Sequence, residues 1–302
     1  MANEQLLAAF RDFYQRSGLS QPQLARAVTV APAAINMYLN GKYEQHGGNI
    51  ETIERKVRDF LARQEENAQK VQLQTDFVPT RTAKRIHEVM RDAHSDCEVA
   101  VVYGQAGLGK TVAVTEYCRA NSGAVLIETN PSYTAQVLMR KIATALKLPT
   151  DGTLNDVFEA VAERLRDSGR LLVVDEAENL PLRALELLRR LHDETDIGLV
   201  LAGMPRLIVN LRGKRGELVQ LFSRVSVALP LGDVLPDEEL AQIAAAMLPS
   251  ADEETVAALV KESGGNTRRL HKLLRGTLRV AEKNGMAVNA GIVKKYSALI
   301  IR

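Results

Sequence analysis

The sequence predicts an α/β protein: a parallel sheet covered by helices on both faces, with one all-helical segment before it and another after it. Three observations predict this. First, a glycine-rich stretch, Gly104-Gln105-Ala106-Gly107-Leu108-Gly109-Lys110-Thr111, lies between an apolar run, Val99 to Tyr103, and a helix-like segment, Val112 to Arg119. Second, the apolar run Leu171-Leu172-Val173-Val174 ends in the carboxylate pair Asp175-Glu176. Third, further short apolar runs alternate with stretches of helical periodicity, the pattern of a buried parallel sheet.

The elements follow in order. Leu6, Leu7, Phe10, Phe13 and Tyr14 recur at helical spacing. Ser17-Gly18-Leu19-Ser20 interrupts that helix, and Ser20 is the N-cap expected for a helix over Gln21 to Ala27. After a turn at Val28-Thr29-Val30, a second short helix is expected from Pro32, tolerated in a first turn, to Leu39. Ile50, Ile53, Val57, Phe60 and Leu61 line one face of a further helix, Asn49 to Arg63. Two short helices joined by a tight turn make a helix-turn-helix candidate. Residues 64–79 are polar and Gln-rich and read as a linker or a frayed helix end. A helix over Thr82 to Ala93 then leads into the first strand. Strands are expected at Ala124 to Thr129, Arg170 to Val174, Ile197 to Ala202 and Val225 to Leu229. Between them lie helices over Thr134 to Leu146, Leu154 to Ser168 and Leu182 to Glu194. From Pro236 the chain is helical again, over Glu238 to Met247, Glu253 to Glu262, Thr267 to Asn284 and Ala290 to Leu299.

Composition bounds the reading. A chain of 302 residues holds two or three domains, and with 4% aromatic residues and no Trp its core is expected to be aliphatic. No apolar run approaches the roughly 20 residues of a membrane span, and the first residues lack a signal-peptide pattern. A cytoplasmic protein with no membrane partner is expected. Cys97 and Cys118 have no metal-ligand spacing and read as packing residues in a reducing compartment. The net charge of +2 is uneven: about +2 over residues 1–63, about −8 over 64–256 and about +8 over 257–302. A basic tail beside an acidic centre fits either a surface for phosphate backbones or a solvated helix face.

The glycine stretch is a complete phosphate-binding loop in the strand–loop–helix context that gives the motif meaning. Backbone N–H groups of Gly104 to Val112 can close around a polyphosphate at the positive end of the following helix. Lys110 can reach the β- and γ-phosphates, and the Thr111 hydroxyl can bind Mg²⁺. Asp175 and Glu176 emerge where ligands bind in open α/β sheets, at a strand's C-terminal end. Asp175 is expected to hold the Mg²⁺ and Glu176 to polarise a water for attack on the γ-phosphate. Arg224 is either a surface arginine or an arginine finger reaching a neighbouring subunit's nucleotide. Of the pair Arg268-Arg269, Arg268 is the one expected to reach the nucleotide, with Arg269, Lys272, Arg275 and Arg279 facing outward.

In these residues and their order the region 99–275 resembles the AAA+ ATPases. The closer resemblance is to the target-capture ATPases of the phage Mu type, the transposition protein B family. It rests on Gly104 to Thr111, Val173 to Ala177, Ile197 to Leu201, Leu221-Phe222-Ser223-Arg224 and the preceding helical segment. The resemblance implies a helix-turn-helix domain over 1–63, the linker, an AAA+ ATPase domain over 80–235 and a helical lid domain over 236–302. It implies ATP bound between subunits, helical filaments on double-stranded DNA with little sequence preference, and delivery of that DNA to a DDE-type transposase with stimulation of strand transfer. One position departs from the pattern. AAA+ proteins usually carry a polar residue after the fourth strand to orient the attacking water, and here that position is Met204. Asn130 is a possible substitute, and slow basal hydrolysis, stimulated by DNA and partner, is expected.

For DNA contacts the sheet domain offers Arg183, Arg189, Arg190, Arg206, Arg212, Lys214 and Arg215, the last three in what reads as a mobile basic loop over 211–216. In the helix-turn-helix segment only Asn36 has base-reading chemistry, while Lys42, Tyr43 and Arg26 suit phosphates. That points to sequence-tolerant DNA binding or to protein binding. Two other functions compete: a repressor-like regulator with an ATP-gated oligomer, and a helicase-loader or secretion-type AAA+ ATPase.

Overall fold

The structure, a computed structural model, describes residues 3–68, 77–212 and 219–300, and the chain divides into two compact units, Met1–Gln72 and Leu73–Arg302. The first unit holds α1 (Glu4–Ser17), α2 (Gln21–Val28), α3 (Pro32–Leu39) and α4 (Ile50–Ala68). Local chemistry sets the boundaries. Gly18 closes α1 in the left-handed region, and Gln23 reaches back to the Ser20 N–H at 2.9 Å to open α2. Thr29, with φ of 61°, turns the chain between α2 and α3. The apolar faces meet in a core of Phe10, Leu24, Ile35, Tyr38, Ile53, Val57 and Phe60.

Aliphatic residues make up most of this core, but three aromatic rings are buried among them. Phe10 lies 6.0 Å from Tyr38 and 6.2 Å from Phe60, and Phe13 lies 5.1 Å from Phe60, ring centroid to centroid. A small unit buries little surface per residue, and these rings add large buried area to a core that is otherwise aliphatic. α4 continues through residues 64–68, so the helix takes in the start of the stretch read as a linker; residues 69–76 lie outside the described residues.

The second unit begins with α5 (Arg81–Ser95), then alternates β1 (Val99–Tyr103), α6 (Lys110–Ala120), β2 (Ala124–Glu128), α7 (Ala135–Ala145), α8 (Leu154–Leu165), β3 (Leu171–Asp175), α9 (Leu182–Thr195) and β4 (Gly198–Gly203). α10 (Arg206–Arg212) and α11 (Val219–Phe222) precede β5 (Val225–Pro230). The strands form one sheet in the order β2-β3-β4-β1-β5, with parallel neighbours throughout. Alternate residues of each strand face opposite sides. Val99, Val101, Leu172, Val174, Leu199 and Leu201 pack with Leu138, Ile142, Val161 and Leu188 of α7, α8 and α9. Ala100, Val102, Leu171, Val173, Val200 and Ala202 pack on Ile86, Met90, Ala113 and Val114 of α5 and α6. Here the core is aliphatic, as composition predicts.

Four helices follow, α12 (Asp237–Met247), α13 (Glu253–Ser263), α14 (Thr267–Lys283) and α15 (Ala290–Ser297), around a third core that includes Leu240, Leu259, Leu270, Leu273 and Val293. Leu108 of the glycine loop belongs to this core and is 2% exposed.

The stretch read as a mobile loop over 211–216 starts inside a helix: Leu211 is fully buried in the last turn of α10, and Arg212 ends that helix. Lys214 and Arg215 lie outside the described residues. Among the described residues no helix is long and apolar enough to cross a membrane. Both cysteines are free and half-buried, and burial pushes the Cys118 thiol up to about 11, which keeps it inert.

Candidate functional site

The sheet order sets the site. β1 lies between β4 and β5, so the loop that leaves its C-terminal end stands beside the ends of β4 and, one strand further, β3. The first loop residue is tied to this edge, with the Gly104 N–H donating to the Gly203 carbonyl at 3.2 Å. Gly107 and Gly109 take φ of 85° and 80°, which L side chains rarely adopt, and α6 begins directly at Lys110 with no side-chain cap on its N-terminus. The first-turn N–H groups of α6 therefore face the loop's concave side, the arrangement that suits an anion.

Lys110 is half-buried, and its Nζ donates to the carbonyls of Gly104 at 2.6 Å and Gln105 at 2.8 Å. Burial pushes its ammonium below the usual lysine range. The negative charges of Asp175, Glu178 and Glu176 oppose that shift, and the positive charge of Arg268 adds to it. Four residues separated by up to about 160 positions thus share one electrostatic neighbourhood with Lys110.

The carboxylates are held by β3 and the turn after it. Asp175 is 1% exposed; its Oδ1 accepts from the Glu176 N–H at 2.9 Å, while its Oδ2 is buried without a hydrogen-bond partner. Glu176 sits in the left-handed region with φ of 54°, an unusual conformation for a side chain of this size, and accepts from Asn179 Nδ2 at 3.2 Å. Thr129 locks this corner: its hydroxyl donates to the carbonyls of Asp175 at 3.0 Å and Glu176 at 2.8 Å. Asn130, the substitute considered for a water-orienting group, is exposed and spends its Oδ1 on the N–H and hydroxyl of Ser132 in its own turn.

These residues fit a divalent cation of the Mg²⁺ kind. Asp175 Oδ2 is an orphaned buried oxygen, and Thr111 presents an exposed hydroxyl on the first turn of α6. Among the described residues no group of three or more His, Cys, Asp or Glu side chains could hold a metal alone, so phosphate oxygens and water would complete the shell, as Mg²⁺ prefers.

The predicted cations divide. Arg268 is exposed at the start of α14 and within electrostatic reach of Lys110. Arg269 is half-buried rather than outward-facing, and its Nε donates to the Glu262 carbonyl at 2.6 Å, near the end of α13. Lys272, Arg275 and Arg279 are exposed. Arg224 makes its ion pair with Asp193 of α9, at 3.0 Å, and is 54% exposed. Arg189 does not offer the free charge expected of a DNA contact: it is 15% exposed and bridges Glu186 at 2.6 Å and Asp193 at 2.5 Å. Arg190 pairs with Glu194 at 3.0 Å and lies over the Phe158 ring. The i,i+3 and i,i+4 spacing along α9 explains both. Arg183, Arg206 and Arg212 are exposed, the last over the Phe222 ring. In the N-terminal unit Lys42 and Asn36 are exposed, and Asn36 Oδ1 accepts from Asn40 Nδ2 at 2.6 Å.

A family model described as an AAA domain matches residues 91–210. The Mu-like prophage FluMu DNA transposition protein B of Haemophilus influenzae is 30% identical over 275 residues, spanning 88% of this chain and 93% of that protein. The chain belongs to the Mu transposition protein B family. The ATP-dependent target DNA activator B of Escherichia phage Mu is 28% identical over 293 residues, 95% of this chain and 92% of that protein. Among solved structures, the Aeropyrum pernix ORC2 protein in its ADPNP–ADP complexes matches with a TM-score of 0.59 at 18% identity, over 73% of this chain and 68% of that one. That likeness concerns the fold: a parallel AAA+ sheet followed by helices.

Motif reading of this transposition protein B relative misses the residues that join the glycine loop to α14. Thr267 donates to the Gly107 carbonyl twice, from its N–H and its hydroxyl, both at 2.8 Å. Asn266 Nδ2 donates to the Ala106 carbonyl at 2.9 Å, while its Oδ1 caps α14 through the Arg269 N–H at 3.2 Å. A Cβ on Gly107 would lie 2.2 Å from Asn266 Oδ1, so the glycine serves this close approach as well as the turn. The available signal was an N-cap residue, Asn266, opening a strongly amphipathic helix.

Proposed function

We propose that this chain is an ATP-switched, sequence-tolerant DNA-binding ATPase of transposition. It binds ATP at residues 104–112, assembles on target DNA with Arg224 of one protomer completing the nucleotide site of the next, and presents that DNA to a DDE-type transposase. The observation that carries the reading is the convergence of Lys110, Asp175 and Arg268 on one neighbourhood beside a complete phosphate loop, in a chain of the transposition protein B family. The phage Mu relative, named an ATP-dependent target DNA activator, supports it.

The chain's own groups divide the chemistry. Loop N–H groups and the start of α6 bind the phosphates, and Lys110 transfers its ammonium from the loop carbonyls to the β- and γ-phosphate oxygens. Thr111 and Asp175 are the groups that would hold Mg²⁺, which would supply charge neutralisation at those oxygens. Glu176 takes a proton from water as the water oxygen bonds to the γ-phosphorus. The bond from that phosphorus to the bridging oxygen breaks, and ADP leaves with its electron pair. Arg268 and the neighbour's Arg224 stabilise the charge that develops. Met204, apolar and 37% exposed at the end of β4, gives no hydrogen bond to the water, which favours slow turnover until DNA or partner binds.

Exposed Arg183, Arg206 and Arg212, with Lys214 and Arg215, are the sheet-domain groups proposed to meet the DNA backbone, and Lys42 the group on the N-terminal unit. A single side chain with base-reading chemistry on α3, Asn36, favours binding with little sequence preference over the reading of a specific operator. Electron microscopy of the purified chain with random-sequence duplex DNA tests the proposal. Filaments are expected with ATP and none with Lys110→Ala. Equal DNA binding with nucleotide removed would overturn the switch, and sparse site-specific complexes would favour a repressor.

A further inference from the structure

β4 lies between β1 and β3, so its C-terminal end lies between the phosphate loop and the Asp175–Glu176 carboxylates. A water attacking a γ-phosphate must be held in that crevice by polar atoms. β4 supplies none from its own side chains there: it ends in Gly203, and Met204 follows. The polar atom that reaches this place comes from the 3-10 turn Ala177–Asn179 after β3. A Cβ on Gly203 would lie 2.2 Å from Glu178 Oε2, so the carboxylate rests in the space that glycine leaves. Oε2 is buried and has no hydrogen-bond partner. The Glu178 backbone is pinned, its carbonyl accepting from Asn210 Nδ2 of α10 at 3.2 Å. Gly203 in turn accepts from Gly104, whose carbonyl takes the Lys110 ammonium. Glu178, like Asp175 and Glu176, lies close enough for its negative charge to act on Lys110.

A buried carboxylate oxygen without a partner is costly unless a ligand satisfies it. We propose that Glu178 is a second carboxylate of the hydrolytic site, accepting one O–H of the attacking water as a hydrogen bond while Glu176 receives the other proton. Glu178 exchanges no proton in the step; it fixes the water's direction, and Gly203 exists to admit it. The inference rests on the ATPase reading above.

Two variants test it, measured as kcat and KM for ATP beside the wild-type chain with DNA present. Glu178→Gln keeps size and packing and removes the charge. Gly203→Ala leaves the carboxylate intact but displaces it, and because Gly203 does not have a positive φ, alanine fits the backbone. The expected result is a kcat lower by about 10- to 100-fold in Glu178→Gln and by about tenfold in Gly203→Ala, with KM within about twofold in both. Unchanged kcat in both variants overturns the inference and leaves the ATPase reading intact. A raised KM with kcat kept would make Glu178 a nucleotide-binding group and overturn it as well. A wild-type chain that binds and splits no ATP sinks the ATPase reading, and this inference with it.

Discussion

Replacing Leu108 by alanine should damage nucleotide binding without touching any phosphate-binding atom. Leu108 is 2% exposed and packs in the core of the C-terminal helices with Leu231 and Leu235. The substitution removes three carbons, about 2.4 kcal/mol of transfer free energy at about 0.8 kcal/mol per methylene. The cavity left behind adds to this, so about 3 kcal/mol is expected, inside the range of about 2–5 kcal/mol for buried leucines. The loss falls on the seam between the loop and these helices. If half of it is felt as a smaller population of the loop conformation that binds phosphate, the apparent Kd for ATP rises about tenfold. Urea unfolding monitored by circular dichroism measures the first quantity, and titration with a fluorescent ATP analogue the second. Val112→Ala is the control: Val112 is the next apolar residue after Thr111 but is 59% exposed, and its cost should stay within about 0.5 kcal/mol. A Leu108→Ala cost under about 1 kcal/mol, or equal to that of the control, would refute the view that the loop is anchored through the C-terminal helices.

Glu176→Gln should bind ATP like the wild type, lose hydrolysis by at least about 100-fold and hold DNA longer; normal phosphate release would reject Glu176 as the base. If three arginines meet phosphates, a fourfold rise in salt should weaken DNA binding about 40-fold, and a flat salt titration would exclude backbone contacts by these groups. Burial pushes the Tyr38 phenol up to about 12. A raised phenol stabilises the folded unit fully below its ordinary value of 10 and less as pH climbs from 10 towards 12, because the unfolded chain ionises first. Alkaline unfolding of the N-terminal unit should therefore lose on the order of 2 kcal/mol across that window, and Tyr38→Phe, which keeps the ring, should abolish that part of the pH dependence.

Much of this fold is legible in the sequence because its two periodicities are undiluted. Each strand is a short apolar run bounded by glycines or charges, and most helix ends carry their caps in plain view, as Ser20, Thr153 and Asn266 do. The phosphate loop and the Asp175–Glu176 pair are legible for a different reason: their chemistry tolerates few residue types. What stayed hidden depends on long-range packing. Leu108 fills a variable position of the motif, and only the fold brings it to Leu231 and Leu235. The glycines at 213 and 216 make 211–216 read as a loop, yet Leu211 and Arg212 are the last turn of α10, whose Leu207 and Leu211 are fully buried. Arg189 reads as a free cation in the linear sequence, yet Glu186 and Asp193, three and four residues away on the same helix, both pair with it. Glu178 was passed over beside Glu176, since nothing in a linear reading tells which carboxylate meets Gly203.

The two bonds from Thr267 to the Gly107 carbonyl have a mechanical side. α14 starts at that joint and runs 17 residues, about 24 Å at 1.5 Å per residue. A tilt of about 5° at the joint displaces the far tip by about 2 Å. Lys272, Arg275, Arg279 and Lys283 lie along that arm, so a small lift of the loop, if α14 followed it as a rigid body, would move these positive charges further than the loop itself.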